Sequence, residues 1–275
     1  MRVYQNYIFD LYGTLLDIET NERSPAFWRF VAGLYRAYGC LWSGPALRQA
    51  YLRMCAEEDA ALRSPAVPFP ELRLERVFVR LLLECPRTIS TGAYVDGESP
   101  GHLRREYAAA PEAVLSRLCE SEWVYALANA FRLRSRCRLR LYPDTLPVLS
   151  ALRQAGKGVY LLSNAQAVFT LPELEQTGLS PFFDRVFISS DRGIKKPQPG
   201  FLQALLQEEA LDPSGCVMVG NEVESDIAVA RACGLDSVYL NTGHLPENEI
   251  HAQLAALPVG ETELILSGRL SELLL

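Results

Sequence analysis

Four sets of polar residues stand at the ends of short apolar runs. Asp10 closes VYQNYIFD and is followed by Leu11, Tyr12, Gly13 and Thr14. Ser163 and Asn164 end the run GVYLLSN. Lys195 and Lys196 precede Pro197 in the loop after DRVFIS. Asn221 and Glu222 follow GCVMVG, with Asp226 one turn further on. A carboxylate, a hydroxyl, an ammonium and a polar, acidic cluster thus occur at four successive run ends. Each alone is a weak signal. Together and in this order they are a strong one, because open α/β sheets bind ligands at the carboxyl ends of their strands. Of the 27 Lys and Arg residues only three are Lys, and two of those are the 195–196 pair. An ammonium is a point charge where a guanidinium is a planar fork, so the choice of Lys is itself informative.

The elements that must position these groups can be read from periodicity. VYQNYIFD is β-branched and aromatic and reads as a buried strand closed by a turn. After residue 138 strands and helices alternate. YPDTLPVLSALRQAG reads as a helix opened by Pro143-Asp144 and stopped by Gly156. AVFTLPELEQTG is helical, with Pro172 expected to interrupt it or to sit in a first turn. PGFLQALLQEEAL and ESDIAVARACG are helices, LDSVYLN is a strand, and ELILSGRLSELLL closes with a strand and a helix. This alternation predicts βα units and a mostly parallel, Rossmann-like sheet. Residues 18–137 differ. PAFWRFVAGLYRAYG, GPALRQAYLRMCAEEDAALR, PELRLERVFVRLLLEC and PEAVLSRLCESEWVYALANAFR carry apolar residues at helical spacing. They predict an all-α unit inserted after the first strand, with 86–101 as a loop within it. The expected division is 1–17 and 138–275 as an α/β core, and 18–137 as the helical unit.

Composition narrows the function classes. The 275 residues suit one or two domains, and 49% hydrophobic with 22% charged residues is a globular balance. A net charge of −6 argues against a dedicated nucleic-acid binder. No apolar run is long enough to span a bilayer, and the first residues show no secretory signal. Seven cysteines, an odd number without a C-x-x-C pair, suggest neither a disulfide framework nor a zinc site. Reduced thiols, mostly small core fillers, and a cytoplasmic location are expected. Oligomeric state is not readable.

With these residues in place the sequence resembles the haloacid dehalogenase-like hydrolase superfamily. FDLYGT, LLSN, KKP and VGNEVESD correspond to its four motifs, over residues 1–17 and about 138–275. The position of the helical unit resembles the subclass whose α-helical cap follows the first motif. The resemblance implies that Asp10 is a nucleophile forming a covalent aspartyl intermediate. The plainer reading is an Asp that bonds its own turn. Thr14 would support the turn beside the substrate. Ser163, with the backbone around Asn164, would hold a substrate oxygen, or Ser163 would cap a helix. Lys196 would bond Asp10 and neutralise charge, and Lys195 would be a solvated neighbour. Magnesium would be held by Asp10, the Tyr12 carbonyl and Asn221, with Asp226 acting through the water shell. Asp226 could instead be an exposed residue in a helix's first turn.

Two positions depart from the phosphatase pattern. Tyr12 replaces the second Asp, the general acid worth about 10²–10⁴ in rate. Asn221 replaces the first acidic residue of motif four, and Glu222 could compensate or be a solvated helix-start residue. D-x-Y-G-T also resembles the 2-haloacid dehalogenases, which need no metal and expel halide without a proton. There a cap Arg cradles the halide. Arg48 is a possible counterpart, or an exposed arginine on an amphipathic helix. Tyr12 could equally pack its ring under the cap. The expectation is therefore a hydrolase with an aspartate nucleophile acting on a small, anionic substrate. A magnesium-assisted phosphatase ranks first, a metal-independent dehalogenase-like hydrolase second, and a non-catalytic binding protein on the same scaffold third. The aromatics Phe27, Trp28, Tyr35, Tyr38, Trp42 and Tyr51 are expected mostly in the core between cap helices.

Overall fold

The computed structural model describes residues 3–275. In chain order its elements are β1 (Asn6–Phe9), β2 (Leu16–Thr20), α1 (Pro25–Ala37), α2 (Gly44–Leu62), α3 (Leu74–Leu83), α4 (Pro100–Ala109), α5 (Pro111–Cys119), α6 (Glu122–Ser135), β3 (Arg136–Leu141), α7 (Thr145–Gln154), β4 (Gly158–Ser163), α8 (Ala167–Gln176), β5 (Arg185–Ile188), α9 (Ser189–Arg192), α10 (Pro199–Glu208), β6 (Cys216–Gly220), α11 (Ala228–Ala232), β7 (Asp236–Leu240), α12 (Glu247–Ala255) and β8 (Thr262–Ile265). A π-helical turn, Val223–Ile227, leads into α11.

Six strands form a parallel sheet in the order β5-β4-β1-β6-β7-β8. Their near-continuous apolar runs follow from burial on both faces. Alternate residues take opposite sides. Tyr7 and Phe9 join Val159, Leu161, Val217 and Val219 in a layer closed by Val148, Leu149 and Leu152 of α7. Ile8, Leu162 and Met218 point the other way, to Phe201, Leu202 and Leu205 of α10. Because β1 lies between β4 and β6, the strand order reverses beside it. That reversal is where a crevice for ligands opens.

The chain divides into two compact units, one of the chain up to Ile18 with Arg63–Glu71 and Arg138–Leu275, the other of Glu19–Leu62 and Leu72–Cys137. Segment 63–71, expected within the helical stretch 18–137, therefore lies with the sheet. Its backbone explains why. Lys195 N donates to Phe69 O at 3.1 Å and Glu71 N to Gly193 O at 3.0 Å. Gln198 clasps the same segment, accepting from Phe69 N at 3.3 Å and donating to Ala66 O at 3.1 Å.

The other unit is built from α1–α6 around an aromatic core. Phe27, Trp28, Tyr51, Phe78 and Phe131 pack with ring centroids 4.8–6.4 Å apart. Tyr35 and Trp42 are buried too, and donate to the carbonyls of Phe78 at 2.8 Å and Leu81 at 2.9 Å. Tyr38 is only half-buried, with its ring edge-on to Trp123.

Several local expectations change. β2 and β3 form a separate two-stranded sheet that the sequence reading missed. Arg138 and Arg140 of β3 share Asp17 of β2, at 2.9 and 2.8 Å. The loop 86–101 ends in a helix start, where Ser99 accepts from His102 N at 3.2 Å and Pro100 opens α4. The long 111–132 pattern breaks into α5 and α6 because Ser121 caps the second helix at Val124 N, 3.2 Å. Pro172 lies inside α8 without ending it. Burial of Phe169, Thr170, Glu173 and Leu174 holds that helix together across the hydrogen bond that proline removes.

Candidate active site

β1 ends at Phe9, and Asp10 N bonds Val219 O at 2.9 Å, extending the ladder to β6 by one residue. The chain then turns sharply. Gly13 adopts φ +85°, and a side chain there would collide with Asn221. Gly220, at the end of β6, lies so close that a Cβ would strike the Asp226 carboxylate. Gly13 permits close approach of the first and fourth motifs, and Gly220 lets the fourth motif fold back on itself.

Lys196 is the hub. Its Nζ lies 2.7 Å from Asp10 Oδ1, 2.7 Å from Asp226 Oδ1 and 2.7 Å from Leu162 O. All three ammonium protons therefore have acceptors, and all three residues are buried in side chain or nearly so. Burial opposes the charge on Lys196, but Asp10 and Asp226 outweigh it and hold the ammonium above its ordinary range. For Asp10 burial wins. It lifts the carboxyl to about 6, with Asp226 adding to the rise and Lys196 opposing it. Two carboxylates share one ammonium, and the cluster carries a net negative charge when all three ionise.

The second oxygen of Asp226 accepts from the backbone N–H groups of Asn221 and Glu222, both at 3.0 Å. Asp226 is thus 1% exposed and ties the fourth motif together; it is not a solvated first-turn residue. Asn164 brackets the Lys196 peptide. It accepts from Lys196 N at 2.8 Å and donates to Lys196 O at 3.0 Å. The Asn164 side chain thereby positions the lysine, while the backbone around Asn164 is the part expected beside a substrate. Thr14 Oγ1 faces two acceptors, Asn221 Oδ1 at 3.1 Å and Asp10 Oδ2 at 3.4 Å. Ser163 does not cap α8, whose N-cap is Gln166. Its hydroxyl is buried and has no hydrogen-bond partner among the described residues. An unmade bond of that kind costs about 1–3 kcal/mol.

Glu222 is exposed and accepts from Ser225 Oγ at 2.9 Å, as a helix-start residue does. Lys195 is half-buried, 3.9 Å from Glu71. Arg48 is exposed on α2. Tyr12 packs its ring on the layer formed by β1, β4, β6 and α7. Its hydroxyl donates to Glu173 Oε2 at 2.5 Å and lies 3.1 Å from Thr170 Oγ1.

Sequence reasoning missed two supporting carboxylates. Glu173 is 2% exposed on the buried face of α8, and its one visible signal was an acidic residue in an apolar helical stripe. Glu71 accepts from Gln166 Nε2 and Ser189 Oγ, both at 3.0 Å. Ser189 Oγ in turn accepts from Ala165 N at 2.9 Å. Glu71 thereby joins the stretch after Ser163 to the loop that carries Lys196. Nothing in the sequence near Glu71 signals this.

The donor set suits a hard divalent cation. Asp10 Oδ2 and Asn221 Oδ1 are both oxygens facing one hydroxyl, Thr14 Oγ1, and the cluster around them is short of positive charge. Asp226 has already committed both oxygens to protein donors, which leaves it a role through water.

The family model described as haloacid dehalogenase-like hydrolase matches residues 4–234. A phosphoserine phosphatase of Thermus thermophilus is 34% identical over 122 residues, 44% of this chain and 49% of that protein. The pyrimidine 5'-nucleotidase YjjG of Escherichia coli is 34% identical over 108 residues, 39% of this chain and 48% of that protein. The chain thus spans about half the length of these curated relatives. Among solved structures, a 2-haloacid dehalogenase from Pseudomonas syringae pv. Tomato superposes with a TM-score of 0.57 at 18% identity, covering 99% of this chain and 98% of that one. At that identity the likeness is one of fold.

Proposed function

This chain belongs to the haloacid dehalogenase-like hydrolases, and from that premise we propose that it is a magnesium-assisted phosphatase of a small phosphorylated metabolite in the cytoplasm. The observation that carries the reading is the buried Asp10–Lys196–Asp226 cluster, with two carboxylates to one ammonium, beside the unpartnered Ser163 hydroxyl. Asp10 attacks the phosphorus, forming an Asp10 O–P bond as the ester P–O bond breaks. The departing alkoxide takes up a proton. Ser163 Oγ donates to a phosphoryl oxygen, satisfying its own unmade bond. Lys196 holds Asp10 in place and offsets the charge of the phosphoryl group. Water then cleaves the aspartyl phosphate and regenerates the carboxylate. A magnesium ion held by Asp10, Asn221 and the Tyr12 carbonyl would supply Lewis-acid stabilisation of phosphoryl charge.

The Tyr12 hydroxyl is engaged by Glu173 and Thr170, so the departing oxygen must find its proton in solvent. Activity should then favour aryl phosphates, whose leaving groups need no proton, over alkyl phosphates. The same engagement of Tyr12 favours one second reading, a dehalogenase-like hydrolase acting at carbon. The charge deficit of the cluster weighs against it, since that reaction uses no cation.

The test is inorganic phosphate release from a panel of aryl and alkyl phosphates, with and without Mg²⁺, against Asp10→Asn. Chloride release from 2-chloropropionate is measured alongside. Magnesium-dependent phosphate release that vanishes in Asp10→Asn is expected. Chloride release without metal, and no phosphate release, would replace this reading with the second.

A further inference from the structure

The turn after Asp10 is closed by its own backbone. Leu11 O accepts from Leu15 N at 2.8 Å and from Leu16 N at 2.9 Å, and Gly13 N donates to Leu16 O at 2.8 Å. Gly13 N shares a peptide with the Tyr12 carbonyl. That peptide is planar and trans, so the carbonyl is turned to the side opposite Leu16. The two dihedrals of Gly13 join this peptide to the next one, which carries the Gly13 carbonyl. Gly13 has no side chain to anchor either peptide by packing, and at φ +85° it stands where glycine is free and other residues are strained. The orientation of the turn has to be held from outside it.

Two long-range clamps do so. Before Gly13, the Tyr12 hydroxyl donates to Glu173 Oε2 at 2.5 Å and lies 3.1 Å from Thr170 Oγ1, both on the buried face of α8. After Gly13, Thr242 Oγ1 donates to the Gly13 carbonyl at 2.5 Å. Thr242 leaves the end of β7 and is itself fixed. Asn241 N continues the ladder to Ile265 O at 3.0 Å. The Asn241 side chain closes its own turn, accepting from Leu245 N at 2.8 Å and donating to Leu245 O at 2.9 Å. Gly268 packs so near that a Cβ there would strike the Asn241 carbonyl and Thr242 Cα. A hydroxyl on such a support aims a peptide, because it does not move with the peptide it holds. The cluster around Asp10 begins at the next residue. Thr14 Oγ1 faces Asn221 Oδ1 and Asp10 Oδ2, and a side chain on Gly13 would collide with Asn221. Rotation at Gly13 would therefore swing the Tyr12 carbonyl relative to both.

We propose, on the reading of this site as a magnesium site, that Thr242 is a positioning residue for the cation. Its hydroxyl holds the peptide after Gly13, and Glu173 holds the Tyr12 side chain before it. Between the two clamps the Tyr12 carbonyl is kept facing a divalent ion together with Asp10 and Asn221. The Gly13 carbonyl that Thr242 bonds is not one of those ligands, so Thr242 acts only through the turn. Losing an outer partner of this kind lowers metal affinity about 10- to 100-fold.

The test uses the full chain freed of metal, with Mg²⁺ alone as the probe, titrated by isothermal titration calorimetry without substrate. Thr242→Val removes the hydroxyl at constant shape and should weaken Mg²⁺ binding about tenfold. Thr242→Ser keeps the hydroxyl and should bind as the wild type does. Glu173→Gln keeps the shape of the second clamp but removes its charge, and should weaken binding by a smaller factor. Melting in EDTA checks that each variant is folded, and Glu173→Gln carries the test if Thr242→Val is not. Phosphate release by Thr242→Val should need about tenfold more Mg²⁺ for half its maximum and still reach the wild-type maximum. Equal Mg²⁺ affinity in the wild type and in folded Thr242→Val would overturn the proposal and leave the magnesium reading standing. So would equal losses in Thr242→Ser and Thr242→Val, since packing and not the hydroxyl would then carry the effect. A wild type that takes up no Mg²⁺ would overturn both.

Discussion

Lys196 and Arg104 are both cations withdrawn from water, and their surroundings have opposite faults. Lys196 meets two carboxylates and a carbonyl, so its site holds more negative charge than it can balance. Arg104 meets a carbonyl and a thiol, so its site holds too little. A buried charge imbalance is costly, and the fully buried site can relieve its own only by drawing in a cation or a proton. Arg104 is half-buried, and solvent balances its charge. The depth and direction of the imbalance therefore separate a site that must bind a partner from one that need not.

The same change at both residues tests this contrast most strongly. Lys196→Met leaves Asp10 and Asp226 buried without their ammonium and should cost about 3–5 kcal/mol in urea unfolding. Arg104→Met removes a cation that lacked a carboxylate and should cost less than about 1 kcal/mol. Equal losses would break the comparison.

Acidity gives the next effect. The Asp10 carboxyl is raised from 3.8 to about 6 by burial, so the fold penalises its ionised form. The penalty is fully present above pH 6, shrinks as the pH falls through that value, and is gone below the unfolded value near 3.8. In metal-free protein Asp10→Asn should thus raise stability at pH 7.5 by about 1–3 kcal/mol. The gain should vanish toward pH 4, and Mg²⁺ should stabilise the wild type but not the variant. A variant that is less stable than wild type at pH 7.5 would show that Lys196 already balances the site.

The unequal legibility of the two regions has a physical cause. Parallel strands deliver their polar ends to one edge, so Asp10, Ser163, Lys196 and Asp226 could be brought together from run ends alone. The helical unit has no such rule. Its packing partners are set by helix faces, and Cys40 and Arg104, 3.0 Å apart, stand 64 positions apart in sequence. The alternation Arg-Cys-Arg-Leu-Arg-Leu of β3 carried a strand's period of two, yet it was overlooked beside the helical stretch that it follows. Glu173 and Glu71 were not readable. A side chain that supports another residue is chosen for where it ends, and sequence spacing records only where it begins.

Ser163 offers a smaller effect with a distinctive sign. Ser163→Ala removes a buried hydroxyl that bonds nothing, so stability should hold or rise by up to about 1 kcal/mol. Phosphate release should nevertheless fall about tenfold to thirtyfold, as the loss of one hydrogen bond to a charged group predicts. A parallel loss of stability and turnover would mean the hydroxyl serves the fold.

The smallest expected effect concerns how Lys196 is kept in register. Glu71 holds Gln166 and Ser189 at 3.0 Å and lies 3.9 Å from Lys195, while its own N–H anchors Gly193. Glu71→Gln preserves the shape and the hydroxyl contact but removes the charge facing Lys195. The loop should remain folded and shift only slightly, and slight misplacement lowers turnover more than binding. Phosphate release should show kcat reduced about fivefold with KM and the melting temperature unchanged. Glu71→Ala, which removes both hydrogen bonds, should lower kcat further. If KM rises and kcat holds, Glu71 shapes the entry of substrate and leaves Lys196 alone. The excess negative charge around Lys196 would then be fixed by the sheet itself, without help from the segment that crosses it.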